Sequence, residues 1–213
     1  MSSNKTMEGL KETRPPNGFS RRSFIQGVSV GSGAAGALLA TPEAEAADGD
    51  VVGPGAVSMT LRINGRNHSL EAEPRVTLLD ALRDRLDMTG AKKVCDRATC
   101  GACTVMVDGQ AVYACTMLAI EAEGREIRTI ESLSANDPVP RNFVKHDAQQ
   151  CGFCTPGFVM ACQSFLENNP NPSQADVEAG LSGNICRCGT YVGVRLAALE
   201  AAEEVKGGRR RGY

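Results

Sequence analysis

The sequence predicts an α+β chain of two small domains, strands around a single helix first and an all-α four-helix bundle second. Three observations carry that expectation. Between residues 57 and 130, short runs alternate apolar and polar residues and are punctuated by Asn64-Gly65 and Asp108-Gly109, with one helical stripe between them. Beyond a stretch rich in Ser, Asn, Asp and Pro at 132–140 the apolar period lengthens to that of helices. Eight of the nine cysteines then fall into two groups of four, one on each side of that stretch.

Composition limits the function classes. Lys and Arg total 23 against 25 Asp and Glu, a net charge of −2 over 213 residues, so no nucleic-acid binding through a broad basic face is expected. No apolar run approaches the ~20 residues that span a bilayer, so no membrane span is expected. With no Trp, three Tyr and six Phe there is little material for one large core, and something besides packing should staple the chain. Only two histidines are present, which leaves thiols to carry any metal or redox chemistry. Neither His68 nor His146 adjoins an acidic or nucleophilic motif, so both are read as solvent-facing or locally hydrogen-bonded.

In chain order, residues 1–46 read as an address. Arg21 and Arg22 stand just ahead of the weakly apolar, glycine-rich stretch 27–40, and Ala44-Glu45-Ala46 gives a small-x-small cleavage pattern. The arrangement resembles a twin-arginine export signal, with Gln26 where lysine is usual. Glycines at 27, 31, 33 and 36 would make a poor soluble helix. The GxGxxG at 31–36 follows no strand and is not read as a dinucleotide site. Export by that route implies a periplasmic protein that crosses already folded, so its cysteines can meet metal before oxidant. Residues 47–56 are read as a linker.

The first domain is expected over 57–133. Strands at 58–63 and 66–71 flank the Asn64-Gly65 turn. Thr77 can cap a helix whose Leu78, Leu79, Leu82 and Leu86 share a face, with Gly90 as its stop. A second hairpin, 104–107 and 110–115, and a last strand at 126–130 complete a small α+β unit. Within it Cys95, Cys100, Cys103 and Cys115 are separated by four, two and eleven residues, and the first three reproduce the plant-type ferredoxin spacing with a remote fourth ligand. Thiolates suit the soft iron of a [2Fe–2S] cluster, and small Gly101 and Ala102 would let backbone N–H groups approach its sulfides. A closed four-thiolate zinc site is the competing reading, although such sites usually join two short CxxC knuckles.

Residues 134–140 are read as a linker and 141–205 as the second domain, with helices at 141–150, 156–168, 173–181 and 191–205. Pro156 suits a first turn, and Ser173 with Asp176 resembles a capping box. Cys151 and Cys154 precede the second helix, Cys186 and Cys188 the fourth, so two positive helix ends could face one anionic cluster. Cys162, on an apolar run, is read as a packing residue, and 206–213 as a solvated basic tail.

Three segments, Cys-Gly-Ala-Cys-Thr-Val at 100–105, Gln-Cys-Gly-Phe-Cys-Thr-Pro-Gly at 150–157 and Gly-Asn-Ile-Cys-Arg-Cys at 183–188, occur in the order that characterises the iron–sulfur subunit of the molybdenum hydroxylases. The chain resembles that family, which includes xanthine dehydrogenase and aldehyde oxidase, over roughly 57–205. With its export signal it looks like the small subunits of periplasmic aldehyde oxidoreductases. The resemblance implies a plant-type ferredoxin-like (β-grasp) domain followed by a helical [2Fe–2S]-binding domain. It also implies a heterotrimer with a large molybdopterin-bearing subunit and an FAD subunit. Electrons would pass from the molybdopterin centre to the helical-domain cluster, then to the ferredoxin-domain cluster and FAD. The chain would conduct and contribute no catalytic residue. Gln150 would touch the pterin, and Cys188 would both ligate iron and approach it. Val94 and Ala98 stand where the family commonly has glycine, and Gly189-Thr190-Tyr191 replaces the usual Thr-Gly-Tyr. If positions 94 or 98 need positive φ, the substitutions are strained.

Two other readings remain open: an exported structural protein stapled by disulfides or zinc, and a free-standing two-cluster ferredoxin.

Overall fold

Burial along the first strand alternates as its sequence does. In β1 (Val57–Ile63), Met59, Leu61 and Ile63 are buried while Ser58, Thr60 and Arg62 are exposed. The structure is a computed structural model and describes residues 53–210, with side chains to 206; the expected export signal lies outside the described residues. Asn64 and Gly65 both take positive φ, 51° and 75°, as a two-residue hairpin turn requires, and lead into β2 (Arg66–Ala72). A second hairpin, β3 (Thr104–Val107) and β4 (Gln110–Tyr113), turns at Asp108 and Gly109 in the same way. Between the hairpins lies β5 (Glu126–Arg128), parallel to β1 and antiparallel to β3, giving the order β2-β1-β5-β3-β4.

The sheet grips one helix. Thr77 Oγ1 accepts from Asp80 N–H at 3.1 Å and starts α1, an α turn (Leu78–Asp80) that continues as a π-helix (Ala81–Arg85). Its Leu78, Leu79 and Leu82 are fully buried against Leu61, Ile63, Val105 and Ile127. The helix ends well before Gly90: Leu86 is non-helical and Asp87 turns left-handed at φ 56°. Gly90 answers a different need, since a Cβ there would lie 2.1 Å from Ile130 Cγ2. The last strands are shorter than expected. β4 ends at Tyr113, where the chain turns although Ala114 still donates to the Cys103 carbonyl in register, and Ile130–Ser132 coils into a 3₁₀ turn.

Four helices follow: α2 (Pro138–Lys145), α3 (Thr155–Asn168), α4 (Gln174–Gly180) and α5 (Tyr191–Arg210). The first starts inside the segment read as a linker and stops five residues short of the expected 150. Pro138 and Pro140 both fall in the first turn, where the N–H they lack has no partner in the helix, and Asp147 at φ 50° terminates the other end. Ser173 and Asp176 form the expected capping box. The α5 backbone stays helical to Arg210, so the basic run does not begin as a tail at 206. Phe143, Phe158, Val159 and Leu166 form the bundle core, and the alanines at 197, 198, 201 and 202 let α5 approach its neighbours closely.

All four residues of β3 are buried, against the alternation expected of a half-exposed strand. Val105 and Val107 face the α1 core, while α3 lies across the opposite face. The sheet and the bundle therefore share a seam, and the described residues belong to one compact unit. Among the described residues no helix is long and apolar enough to cross a membrane.

Candidate functional site

The loop joining α1 to β3 is held at its base before it reaches the first cysteine. Arg83 donates to the Thr89 and Ala91 carbonyls at 2.8 Å each, and Lys93 pairs with Asp80 at 2.7 Å. Asp96, Ala98 and Gly101 then take φ of 57°, 53° and 70°, curling the chain so that N–H groups point inward. Ala98 N–H donates to Cys115 Sγ and Thr99 N–H to Cys95 Sγ, both at 3.3 Å. Position 98 is thus one of the two glycine replacements that the backbone strains, whereas Val94 is not among the positive-φ residues. Cys115 reaches the loop because the chain turns directly after β4, Thr116 N–H bonding the Tyr113 carbonyl at 3.0 Å.

These four thiols are arranged in twos. The Cys100 thiol lies beside Cys95 and the Cys103 thiol beside Cys115. The backbone N–H of Arg97 leads the groups that lower the Cys95 thiol to about 6, while burial pushes Cys103 up to about 12. One pair is half-buried and the other buried.

The second group has the same layout. Cys154 is the N-cap of α3 and Cys186 lies five residues before α5, so the amino ends of both helices flank them. The Cys154 thiol lies beside Cys186 and the Cys188 thiol beside Cys151. Burial pushes Cys154 up to about 12. Burial is the largest influence and acts to raise Cys186, but Thr190, through side chain and backbone, with Cys154 and the Gly189 backbone, together lower that thiol to about 7. Cys151 and Cys188 are exposed, with exposed Gln150 beside them, and Cys154 and Cys186 lie beneath. This group therefore has an outer and an inner pair. Cys162 is fully buried in the bundle core, where burial pushes its thiol up to about 12. His146 is not solvent-facing or locally bonded as expected: it meets the carboxylate of Glu200 on α5 at 2.5 Å, 54 positions along the chain.

Residues of the three cysteine-bearing segments themselves, together with Tyr113, bring the two groups together. Ile185 N–H, next to Cys186, donates to the Cys100 carbonyl at 2.9 Å. Buried Asn184 donates to the Gly101 carbonyl at 2.8 Å, and Tyr113 Oη to the Gly183 carbonyl at 2.9 Å. A Cβ on Gly157, in the first turn of α3, would lie 2.3 Å from the Gly101 carbonyl oxygen, and one on Gly101 would lie 2.7 Å from the Asn184 side chain. Gly101 thus serves the seam as well as its own loop. Alternation, spacing and composition gave no sign of these contacts, because each joins residues some 55 to 85 positions apart.

A [2Fe–2S] cluster needs two sulfur donors at each of two irons, whereas a zinc ion draws four donors to one point. Among the described residues no three Cys, His, Asp or Glu side chains gather as around a single ion. The thiols are instead grouped two and two, with backbone N–H groups aimed at their sulfurs, and each foursome could hold a two-iron cluster. The 2Fe-2S iron-sulfur cluster binding domain family matches residues 61–132, and the [2Fe-2S] binding domain family matches 129–199. The nicotine 6-hydroxylase small subunit of Paenarthrobacter nicotinovorans is 43% identical over 151 residues, covering 70% of this chain and 92% of that one. The chain belongs to the iron–sulfur small subunits of the molybdenum hydroxylase family. Another such subunit, the aldehyde oxidoreductase iron-sulfur-binding subunit of Escherichia coli (strain K12), is 39% identical over 171 residues, covering 72% and 75% of the two chains. Among solved structures, quinoline 2-oxidoreductase from Pseudomonas putida 86 superposes with a TM-score of 0.68 at 38% identity, over 74% of this chain and 98% of that one. As a small subunit of this family the chain is an electron-transfer component of an oxidoreductase and not its catalytic part. The zinc and disulfide readings give way to iron–sulfur binding.

Proposed function

We propose that two domains, 57–133 and 141–205, each hold one [2Fe–2S] cluster, and that this subunit links a molybdopterin centre on a large partner to FAD on a second partner. Cys95 and Cys100 would hold one iron of the first cluster, Cys103 and Cys115 the other. Cys151 with Cys188 and Cys154 with Cys186 would do the same for the second. When bound, the clusters supply one-electron carriers that accept the two electrons of substrate oxidation singly. This chain's residues hold them at the two ends of a short covalent and hydrogen-bonded route. Cys186 is bonded to Ile185, whose N–H meets the Cys100 carbonyl at 2.9 Å, and that contact is the observation that carries the reading. Exposure supports the direction. Cys188, Cys151 and Gln150 lie at the surface, where a pterin on the large subunit could reach them, and the exposed 96–99 loop offers a separate exit.

The substrate class proposed is an aldehyde oxidised to its acid in the periplasm. It is supported by the likeness to the Escherichia coli aldehyde oxidoreductase subunit and by the twin-arginine pattern at Arg21 and Arg22. An N-heteroaromatic substrate is the second reading, favoured by the likeness to the nicotine 6-hydroxylase subunit and to quinoline 2-oxidoreductase. The isolated complex should contain about four iron and four labile sulfide per copy of this chain, together with molybdenum and flavin. Dithionite reduction should give two distinct EPR signals, one lost in Cys95→Ser and the other in Cys186→Ser. A single signal, or one lost in both variants, overturns the assignment. Turnover of aldehydes against N-heterocycles with an artificial acceptor separates the two substrate readings. Arg21→Lys with Arg22→Lys should leave the complex in the cytoplasmic fraction.

A further inference from the structure

The chain doubles back after the last cysteine of the second group. Gly189 takes φ +82°, a conformation L side chains rarely adopt, and nothing lies within 4 Å of where its Cβ would be. The glycine is there for the turn, not for space. The turn carries the next two side chains onto Cys186. Thr190 Oγ1 lies 3.2 Å from Cys186 Sγ, and the Tyr191 hydroxyl accepts the Cys186 N–H at 2.8 Å. The ring of Tyr191 is itself fixed edge-on to Phe158, with centroids 6.2 Å apart. Thr190 is only 8% exposed, so water is poorly placed to take over its hydroxyl.

The sulfur decides which way this hydrogen bond points. In a thiol either atom can donate, but an iron-bound thiolate has no proton, so the hydroxyl must be the donor. A donor aimed at a cluster sulfur stabilises the reduced state more than the oxidised one, because reduction adds negative charge there. Among the described residues Cys186 alone of the eight paired thiols faces a side-chain hydroxyl in this way, whereas the sulfurs of Cys95 and Cys115 meet backbone N–H groups of Thr99 and Ala98. A backbone donor comes with the fold, while a side-chain donor can be added or removed at one position.

We propose that the Thr190 hydroxyl, placed by the Gly189 turn, donates to the Cys186 thiolate and raises the reduction potential of the helical-domain centre independently of the ferredoxin-domain centre. The proposal rests on the assignment of Cys151, Cys154, Cys186 and Cys188 to one cluster. Thr190 is a positioning residue here, acting through Cys186. A raised potential at this centre would favour the first electron leaving the molybdenum side.

The test is a potentiometric titration of the isolated complex, following both EPR signals in wild type, Thr190→Val, Thr190→Ala and Thr190→Ser. Thr190→Val, which keeps shape and removes the hydroxyl, should lower the midpoint of the signal that Cys186→Ser abolishes. Thr190→Ser should stay near wild type, and the other signal should not move in any variant. In D₂O, one exchangeable deuteron coupled to the helical-domain signal, beyond those of the backbone amides, should be present in wild type and Thr190→Ser and lost in Thr190→Val. An unmoved midpoint in Thr190→Val, equal shifts of both signals, or a Thr190→Ser midpoint as low as that of Thr190→Val each overturns the proposal. Should Thr190→Val lose its cluster, the difference between Thr190→Ala and Thr190→Ser decides by the same criterion. A wild type with about two iron per chain and one signal refutes the site assignment itself, whereas two signals with no shift refute only the role of Thr190.

Discussion

Ala98 sits at φ 53°, where a Cβ crowds its own backbone, yet its N–H is one of the donors that meet Cys115 Sγ. The left-handed conformation costs an L residue about 1–2 kcal/mol, and glycine escapes that cost while losing about 0.4–1 kcal/mol through its freer unfolded chain. Ala98→Gly should therefore stabilise the protein by up to about 1 kcal/mol, seen as a thermal midpoint higher by about 2–4 °C. An unchanged or lower midpoint would mean that the loop holds this conformation without strain. Cys162 offers the opposite control. It is fully buried in the bundle core and apart from both thiol foursomes, so Cys162→Ala should keep both EPR signals and cost about 1–2 kcal/mol of stability through lost packing.

At the scale of elements, the seam depends on how closely α3 approaches the loop before β3. Gly157 leaves no room for a side chain, its nearest obstacles being backbone atoms of Gly101 and Ala102. Gly157→Ala should force helix and loop apart, costing about 1–3 kcal/mol and broadening the signals of both clusters. On the far side of the bundle, Lys145 and His146 of α2 and its cap both bond Glu200 of α5. The Lys145 ammonium, with His146 behind it, holds the Glu200 carboxyl below its ordinary 4.5. A carboxyl lowered in the folded state adds stability above its unfolded value and loses it as pH falls through the folded one. Wild type should thus lose thermal stability more steeply than Glu200→Gln as pH drops below 4.5, with parallel curves near neutrality. Parallel curves throughout would show that the contact carries no net energy.

For the whole molecule, the sheet and the bundle behave as one body because polar contacts of long sequence separation bind them. Asn184 is central, donating to both the Gly101 carbonyl and Thr104 Oγ1 from a buried position. Removing it leaves the Thr104 hydroxyl as a remaining partner for that carbonyl, at 2.7 Å. Asn184→Ala should cost about 1–3 kcal/mol and weaken the spin–spin splitting between the two reduced clusters while keeping iron content unchanged. Full splitting in that variant would place the coupling elsewhere along the seam.

The sequence by itself determined where most elements lie and how the thiols group. Period two with Asn64-Gly65 and Asp108-Gly109 is enough for two hairpins, Thr77 and Ser173 are enough for two helix starts, and the cysteine spacings are enough to group eight thiols into two fours. These signals are local, each contained in a few adjacent residues or one repeating interval. Tertiary structure alone decided which cysteines pair, that α3 covers β3, and that Ile185 meets Cys100. It also decided why Gly90, Gly101 and Gly157 must be glycine. Those outcomes depend on two distant segments arriving at one place, and neither segment carries the other's position in its own pattern.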